Sequence, residues 1–118
     1  MYRMMLAGKI HRATVTETHL DYEGSLSVDA DLLEAAGMAE YEQIHVYNVS
    51  TGDRFETYLI AGPRQSGVIA LKGAAARKGQ VGDNLIIATY RVVPEAQVSG
   101  HTPRVVLVDE KNSRLQAD

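Results

Sequence analysis

The sequence predicts a mainly β fold, a small β-barrel of about seven or eight short strands with one main helix. Three observations lead to this prediction. Glycines punctuate the chain at intervals of about ten residues, a spacing typical of many short strands. The segments between the glycines are rich in β-branched residues, and a single segment changes to helical periodicity.

The first half of the chain contains two predicted strands and the helix. β-branched residues are in excess in residues 8–18, which predicts an extended strand, and residues 25–28 form a second, shorter strand. A helix follows, because the apolar residues then recur at helical spacing. Asp29 or Asp31 is its predicted N-cap, and Gly37 ends it.

A predicted hairpin comes next. Residues 43–49 and 54–61 flank Thr51-Gly52-Asp53, which is typical of a hairpin turn, so the two segments form an antiparallel pair. The remaining predicted strands are residues 67–73, residues 84–93, nearly fully buried and ending at Pro94, and residues 104–115, which include a polar turn. A turn-rich connector with one helical turn, residues 74–83, precedes the buried strand.

Size and composition are those of one globular domain. The 118 residues, 45% hydrophobic and 23% charged, suffice for one core, so residues 1–118 are expected to form a single domain. A domain this small leaves little room for a large enclosed cofactor. A neighbouring subunit is therefore expected to complete any cleft.

Charge and residue content exclude several classes of function. A formal net charge of −3 and a pI near 5.8 argue against a nucleic-acid-binding protein. No apolar run approaches the roughly 20 residues of a membrane-spanning helix, and charges interrupt the N-terminal segment where a signal peptide would be apolar. We therefore expect a soluble, cytoplasmic protein. The absence of cysteine excludes disulfides, thiolate catalysis and cysteine-ligated zinc.

The histidines do not form a metal motif. His11, His19, His45 and His101 lack the close spacings of known sites, so no metal is expected. Lys9 falls on the same face of the first strand as His11, and a lysine beside a histidine favours an anionic ligand. The alternative for this pair is a solvated strand edge.

A second candidate anion site lies in the hairpin. Strand alternation puts Arg54, Glu56 and Tyr58 on one face. Arginine offers a bidentate fork to a carboxylate, and a tyrosine hydroxyl can donate a proton. Thr57 faces the other way, so a joint role with Tyr58 requires a bulge or a strand end. The alternative is a surface Arg–Glu pair beside a tyrosine packed on the barrel wall.

Two glycine-containing segments complete the candidates. Gly73, Ala74 and Ala75 have side chains small enough for their backbone amides to approach a ligand, or to form a tight packing corner. Gly24-Ser25 is, taken alone, ordinary turn chemistry. The sequence contains neither a P-loop nor a Rossmann glycine pattern, so nucleotide cofactors find no support.

The order of these segments is more specific than any one of them. The relevant stretches are "GKIHRATVT", "LDYEGSLSVD", "LLEAAGM", "TGDRFETY" and "GAAAR" followed by "VGD". From about Met1 to about Val108, the chain resembles the pyruvoyl-dependent aspartate 1-decarboxylases. The resemblance implies a double-psi β-barrel assembled as a homotetramer, with active sites between adjacent subunits, which agrees with the strand count.

In that family the Gly-Ser pair is a self-processing site. The resemblance implies that Ser25 Oγ attacks the Gly24 carbonyl and that the chain is cut into residues 1–24 and 25–118, with a pyruvoyl group at the new N-terminus. This group would serve as the electron sink, without metal or pyridoxal phosphate. L-Aspartate would form an imine (Schiff base) with the pyruvoyl ketone, lose CO₂ and leave as β-alanine, a precursor of pantothenate.

The resemblance also assigns roles to residues. Arg54 matches the arginine that anchors a substrate carboxylate, Tyr58 matches the proton donor, and Thr57 matches a threonine that assists processing and lines the substrate site. Further matches to the substrate pocket are Lys9, His11, Tyr22, Gly73, Ala74 and Ala75.

One position departs from the family pattern. Lys72 stands where the family usually has asparagine, next to the cleavage site. Asparagine both donates and accepts hydrogen bonds, whereas an ammonium only donates and adds a charge. We hypothesise that Lys72 slows maturation, although the added cation could instead stabilise an oxyanion or attract aspartate.

Two other classes of function stay open at this point. The first is a non-catalytic small β-barrel that binds or assembles, in which Gly24-Ser25 remains a turn; an unprocessed, poorly active precursor would look similar. The second is a metal-dependent hydrolase, whose activity would be lost in chelator.

Overall fold

The computed structural model describes residues 1–115. Within that range the chain is mainly β, with eight strands and a single α-helix, as the sequence predicts. In chain order the elements are β1 Tyr2–Thr14, β2 Glu17–His19, β3 Leu26–Asp29, α1 Ala30–Ala36, β4 Gln43–Asn48, β5 Arg54–Gly62, β6 Ile69–Lys72, a 3₁₀ helix Gly73–Lys78, β7 Asn84–Pro94, a 3₁₀ helix Glu95–Gln97 and β8 Arg104–Leu107.

The strands form a closed small barrel of the double-psi class. Their order in the sheet is β2-β6-β3-β5-β4-β7-β1-β8. β1 and β2 lie near opposite ends of this order but are consecutive in the chain, so the link between them joins the two ends. That link is fixed by backbone hydrogen bonds, from Val15 N to Asp83 O at 2.8 Å and from Thr16 N to Ile69 O at 2.9 Å.

The core fills the inside of the barrel. Ile10, Val46 and Ile87 are opposite one another on β1, β4 and β7, and all three are fully buried. The other large, fully buried side chains among the described residues are Leu26, Ile44, Leu59, Ile69, Leu71, Leu85, Val15, Val28 and Val106. Because side chains alternate across a strand, residues next to these core positions point outward.

The helix begins and ends as predicted, and Asp29 is its N-cap. Asp29 accepts a hydrogen bond from the N–H of Asp31 at 2.9 Å, as well as bonds from Gln65 N and Gly67 N at 3.1 and 2.9 Å. Gly37 ends the helix in the left-handed region at φ 70°. Asp31, the other predicted cap, instead pairs with Arg64 on the surface.

Two strand predictions were wrong in detail. The strand predicted at residues 8–18 is two strands, β1 and β2, because the backbone of Val15 and Thr16 turns to close the barrel. β1 also begins earlier, at Tyr2, since its exposed first residues pair with the end of β7. β7 is not nearly fully buried: β4 covers it only as far as Ala88, and Val92 is exposed.

Of the helices described in residues 1–115, none has the length and apolar character needed to cross a membrane.

Candidate active site

Ser25 is buried and has an unusual backbone conformation. Its residue is 2% exposed, and its φ is 101°, directly after Gly24 with a φ of 108°. A positive φ is ordinary for glycine but rare for serine, and such a residue typically stores about 1–3 kcal/mol of strain. Within residues 1–115, five non-glycine residues have a positive φ, and that of Ser25 is the largest, so backbone strain is expected at Ser25.

The chain after Ser25 is firmly held. The carbonyl oxygen of Ser25 accepts a hydrogen bond of 3.0 Å from the backbone N–H of Lys72. Leu26, the next residue, starts β3 and pairs with Leu59 of β5 on one side and Leu71 of β6 on the other. These two ladders fix the C-terminal side of the peptide bond, while Tyr22 before it is exposed.

Gly73 packs directly against the Gly24 backbone. A Cβ at Gly73 would lie 2.5 Å from Gly24 N, 2.6 Å from Gly24 Cα and 2.7 Å from Tyr22 O, and its φ is 65°. Glycine is thus required here by both space and conformation. The following 3₁₀ turn buries Ala75 and exposes Ala74. Of the two alternatives for this segment, Gly73 forms a tight packing corner against the backbone of Gly24 and Tyr22.

Thr57 and Tyr58 lie where β5 changes partners. β5 pairs with β4 up to Tyr58 and with β3 from Leu59 onward, and the β4 register shows no bulge. Ser25 immediately precedes the first β3 residue in the parallel ladder, so the ladder brings it to the level of Tyr58. Thr57 and Tyr58 thus lie beside a change of strand partner, with neither a bulge nor a strand end between them, and Tyr58 is 38% exposed.

The ammonium of Lys72 lies over the ring of Tyr22. Its Nζ lies 5.0 Å from the ring centroid of Tyr22. Both residues line an open cavity of about 360 Å³, together with His19 and Glu17, which contact each other at 2.8 Å. The side chain of Lys72 thus lines this cavity, while its backbone N–H contacts Ser25 directly.

The other predicted binding residues lie on the outer face of the barrel. His11 of β1, Ile86 of β7, Tyr47 of β4 and Arg54 of β5 are opposite one another in register. Three strand spacings separate His11 from Arg54, about 14 Å along the sheet. Lys9 is one pleat away from His11 on the same face, as predicted.

The acid–base state of His11 is set by its surroundings. Burial, followed by the charges of Lys9 and Arg12, lowers the pKa of His11 below its ordinary value. Within residues 1–115, its Nδ1 is buried without a hydrogen-bond partner. His11 is therefore neutral at pH 7, and Lys9 carries the positive charge of this pair.

One chain does not bring all the predicted site residues together. In the ring of strands, β1 lies opposite β3, and Lys9 and His11 point outward from the far wall. Arg54 is four residues from Tyr58, about 13 Å along β5. The residues form two groups, one at Gly24-Ser25 and one on the β1-β7-β4-β5 face.

Sequence reasoning missed three aromatic residues around Arg54. The Arg54 Cζ lies 4.1 Å from the ring centroid of Tyr47, and the Tyr47 hydroxyl lies 2.7 Å from that of Tyr90. His45 contacts Tyr90 edge to face, with ring centroids 5.1 Å apart. The hairpin carried a signal, because counting outward from its turn places Tyr47 opposite Arg54.

The histidines are dispersed over the fold, as their spacing indicates. In the part of the chain that the structure describes, no three His, Asp or Glu side chains are grouped so that they could hold a metal ion. His101 illustrates a structural use, since its Nε2 lies 2.6 Å from the carbonyl oxygen of Leu6.

Comparison with known proteins places the chain in a family. Residues 1–115 match the family model described as aspartate decarboxylase. The chain is 58% identical to the aspartate 1-decarboxylase of Polynucleobacter asymbioticus, with 96% of this chain and 94% of the relative covered. The aspartate 1-decarboxylases of Bordetella pertussis and Methylibium petroleiphilum are 58% and 59% identical, with 95% of this chain and 92% and 93% of the relatives covered.

Proposed function

Because this chain belongs to the aspartate decarboxylase family, we propose that it converts Ser25 into a pyruvoyl group and uses that group to decarboxylate L-aspartate. The chain is an aspartate 1-decarboxylase, a carboxy-lyase. Removal of the carboxylate at C1 of L-aspartate as CO₂ leaves β-alanine. The origin of the electron sink and the roles of the residues are the parts that we propose.

The observation that carries the pyruvoyl proposal is the conformation of Ser25. A serine at φ 101° follows a glycine at φ 108° in a segment that is clamped on its C-terminal side. Cutting the Gly24–Ser25 bond would release this strain, which favours the reaction here over any relaxed peptide bond. The residues present thus fit a processing site.

Processing can be written with all atoms in balance. Ser25 Oγ attacks the Gly24 carbonyl carbon, the C–N bond breaks, and an ester with a free Ser25 amine forms. Loss of the Ser25 α-proton and departure of the Gly24 carboxylate leave a dehydroalanine at residue 25. Its enamine tautomerises to an imine, and water then releases ammonia and leaves the pyruvoyl group. We propose the products to be residues 1–24 and 25–118.

The chain's own residues bind the substrate and deliver a proton. The pyruvoyl group, once formed, supplies the electron sink that ordinary side chains lack. Arg54 would hold a substrate carboxylate through its bidentate fork, assisted by the charge of Lys9. Tyr58, at the level of Ser25 and partly exposed, would donate the proton to the α-carbon after CO₂ leaves. Gly73 lets the backbone approach closely.

We propose that the site is completed by a second copy of the chain, in a homotetramer. Two observations support this. Lys9 and His11 point outward from the wall opposite β3, so they cannot reach Ser25 of the same chain. The segment before Ser25 also exposes Leu20 and Tyr22, which are 51% and 58% accessible in the single chain. Contact between the two faces would unite the two groups of residues.

A second candidate state, a slowly maturing precursor, follows from Lys72. Its backbone holds the Ser25 carbonyl, but its ammonium lies against Tyr22. An asparagine at this position could turn its shorter side chain toward the neighbouring peptide bond, and it could both donate and accept. We therefore propose that Lys72 slows cleavage. The supply of β-alanine for pantothenate and a cytoplasmic location rest on the family resemblance and the composition.

Intact-mass measurement of the purified protein tests the proposal. A pyruvoyl enzyme gives one fragment of residues 1–24 and a second that begins at residue 25 and reacts with carbonyl reagents. Its release of CO₂ from L-aspartate should track the cut fraction and persist in chelator. A single intact mass with full activity would contradict the pyruvoyl proposal, and activity lost in chelator would favour a metal-dependent enzyme.

A further inference from the structure

Arg54 rests on an aromatic support that spans two strands. Tyr47 is opposite Arg54 in the β4–β5 hairpin, and its ring lies 4.1 Å from the guanidinium carbon. Arg54 is otherwise exposed on the strand. A cation over an aromatic ring at such a site is typically stabilised by about 0.5–1 kcal/mol. The ring therefore restricts an arginine that would otherwise sample many rotamers.

The Tyr47 ring is fixed in turn by Tyr90. The two hydroxyls lie 2.7 Å apart. Tyr90 lies on β7, four residues beyond Ile86, the residue that is opposite Tyr47 in the β4–β7 register. His45 sits between them in register and contacts the Tyr90 ring edge to face. The hydrogen bond with Tyr47, followed by burial, raises the pKa of Tyr90, so the Tyr90 phenol keeps its proton at neutral pH.

We propose that Tyr90 is a positioning residue for Arg54, acting through Tyr47, and that it sets the affinity of the enzyme for the substrate carboxylate. This inference rests on the proposed role of Arg54. A guanidinium fork binds a carboxylate well only when its plane is oriented, and an ordered side chain loses less entropy on binding. Tyr90 would act on binding only through its contact with Tyr47.

The predicted kinetic signature is a change in KM. Losing the hydroxyl bond frees the Tyr47 ring and hence Arg54, which weakens binding of substrate and transition state alike. One hydrogen bond of ordinary strength corresponds to a change of about three- to tenfold. Tyr90→Phe should therefore raise KM for L-aspartate about three- to tenfold, with kcat within about twofold of the wild-type value.

Matched variants separate this role from a general effect on structure. Tyr47→Phe removes the same bond and keeps the ring, so it should match Tyr90→Phe, and the double variant should be no worse than either single variant. Tyr41→Phe deletes an exposed hydroxyl elsewhere and should leave KM unchanged. An unchanged KM in Tyr90→Phe, an equal fall in kcat and kcat/KM, or additive single variants would overturn the inference.

A binding measurement covers the case in which maturation is slow. In the uncut full-length Ser25→Ala protein, calorimetric titration with succinate, an unreactive dicarboxylate, should give a Kd that Tyr90→Phe raises by a similar factor. Arg54→Ala tells the two proposals apart. If Arg54→Ala weakens succinate binding and Tyr90→Phe does not, only the inference about Tyr90 is wrong; if neither does, the carboxylate role of Arg54 is wrong.

Discussion

Lys72 meets Ser25 through its backbone, whose N–H donates a 3.0 Å hydrogen bond to the Ser25 carbonyl oxygen. Any residue except proline could make this bond. Any effect of the side chain's identity therefore arises elsewhere, and here the ammonium lies 5.0 Å from the ring of Tyr22, which closely precedes the Gly24–Ser25 bond of the proposed cleavage. The backbone of Lys72 holds the peptide in place, whereas any effect on the cleavage reaction depends on its side chain.

Lys72→Asn should accelerate conversion to the two fragments by about tenfold, the effect of one well-placed hydrogen bond on a barrier. Lys72→Met is the matched control, because it keeps the length and removes the charge. The cut fraction is followed by intact mass after rapid purification. Fast, complete cleavage of the wild-type chain would refute the slowing role, and equal acceleration by methionine would assign it to the charge alone.

Two substitutions of Ser25 distinguish the effect of its hydroxyl on cleavage from the effect of its backbone strain on stability. Ser25→Ala and Ser25→Gly should both leave the chain whole, since neither has the attacking hydroxyl. Ser25→Gly should also have a free energy of unfolding higher than that of Ser25→Ala by about 1 kcal/mol, because glycine accepts a positive φ. Urea unfolding measures this difference. Cleavage of either variant, or equal stabilities, would contradict the respective half of the interpretation.

Gly73→Ala should block cleavage and destabilise the chain. The new Cβ would lie 2.5 Å from Gly24 N, so the segment before Ser25 must move. Gly52→Ala is a close control: its φ is also positive, at 83°, but nothing lies within 4 Å of its Cβ position. It should lose only about 1 kcal/mol and mature normally. Normal maturation of Gly73→Ala would show that close approach is not needed.

Tyr58→Phe should mature at the wild-type rate but lose turnover by about a hundredfold or more, the usual contribution of a positioned proton donor. The substitution keeps the ring at the junction of β4, β5 and β3, so folding is preserved. Single-turnover assays on fully cut protein give the effect on the chemical step. Wild-type turnover would mean that another acid protonates the α-carbon.

His11 should make the fold less stable in acid. Its folded pKa is lowered by burial and then by Lys9 and Arg12, whereas an unfolded histidine titrates near its ordinary value of 6.5. The unfolded chain therefore takes up the proton at higher pH, and the free energy of unfolding falls as the pH drops below about 6.5.

His11→Gln should flatten that decline. Urea unfolding of the uncut Ser25→Ala protein, with and without His11→Gln, from about pH 8 to about pH 5 compares the two slopes. The two curves should run parallel above the ordinary histidine pKa and diverge below it. Parallel curves over the whole range would mean that folding does not perturb His11.

The sequence predicts the strands, the helix and its caps because their signals are local. Asp29, Gly37 and the Thr51-Gly52-Asp53 turn each act within a few residues of themselves. Barrel closure is not local: Val15 bonds to Asp83, which lies far along the chain. The hydrophobic periodicity of the sequence carries no information about such a distant contact.

Buried polar side chains that hydrogen-bond distant segments of the chain could not be predicted from the sequence either. Asn112 is 2% exposed, and its amide donates to Thr14 O and Gly67 O, both at 2.8 Å. In the sequence it reads as one residue of a polar turn. For the site, the resemblance supplied candidate residues, while their division into two groups required the strand order.

The position of the cut relative to the barrel has a further consequence. β1, β2 and the link between them all precede Gly24; they place Ile10, Ala13 and Val15 in the core and close the ring of strands. After the proposed cleavage the enzyme is a complex of two peptides held by fragment complementation. Refolding then requires an encounter between the two peptides instead of a loop closure within one chain, so the midpoint of thermal unfolding should depend on protein concentration more steeply than that of the uncut Ser25→Ala protein. The barrel must therefore fold before the proposed cleavage takes place. A mature molecule that unfolds no longer has the covalent link between β2 and β3 that joined the two peptides during the first folding.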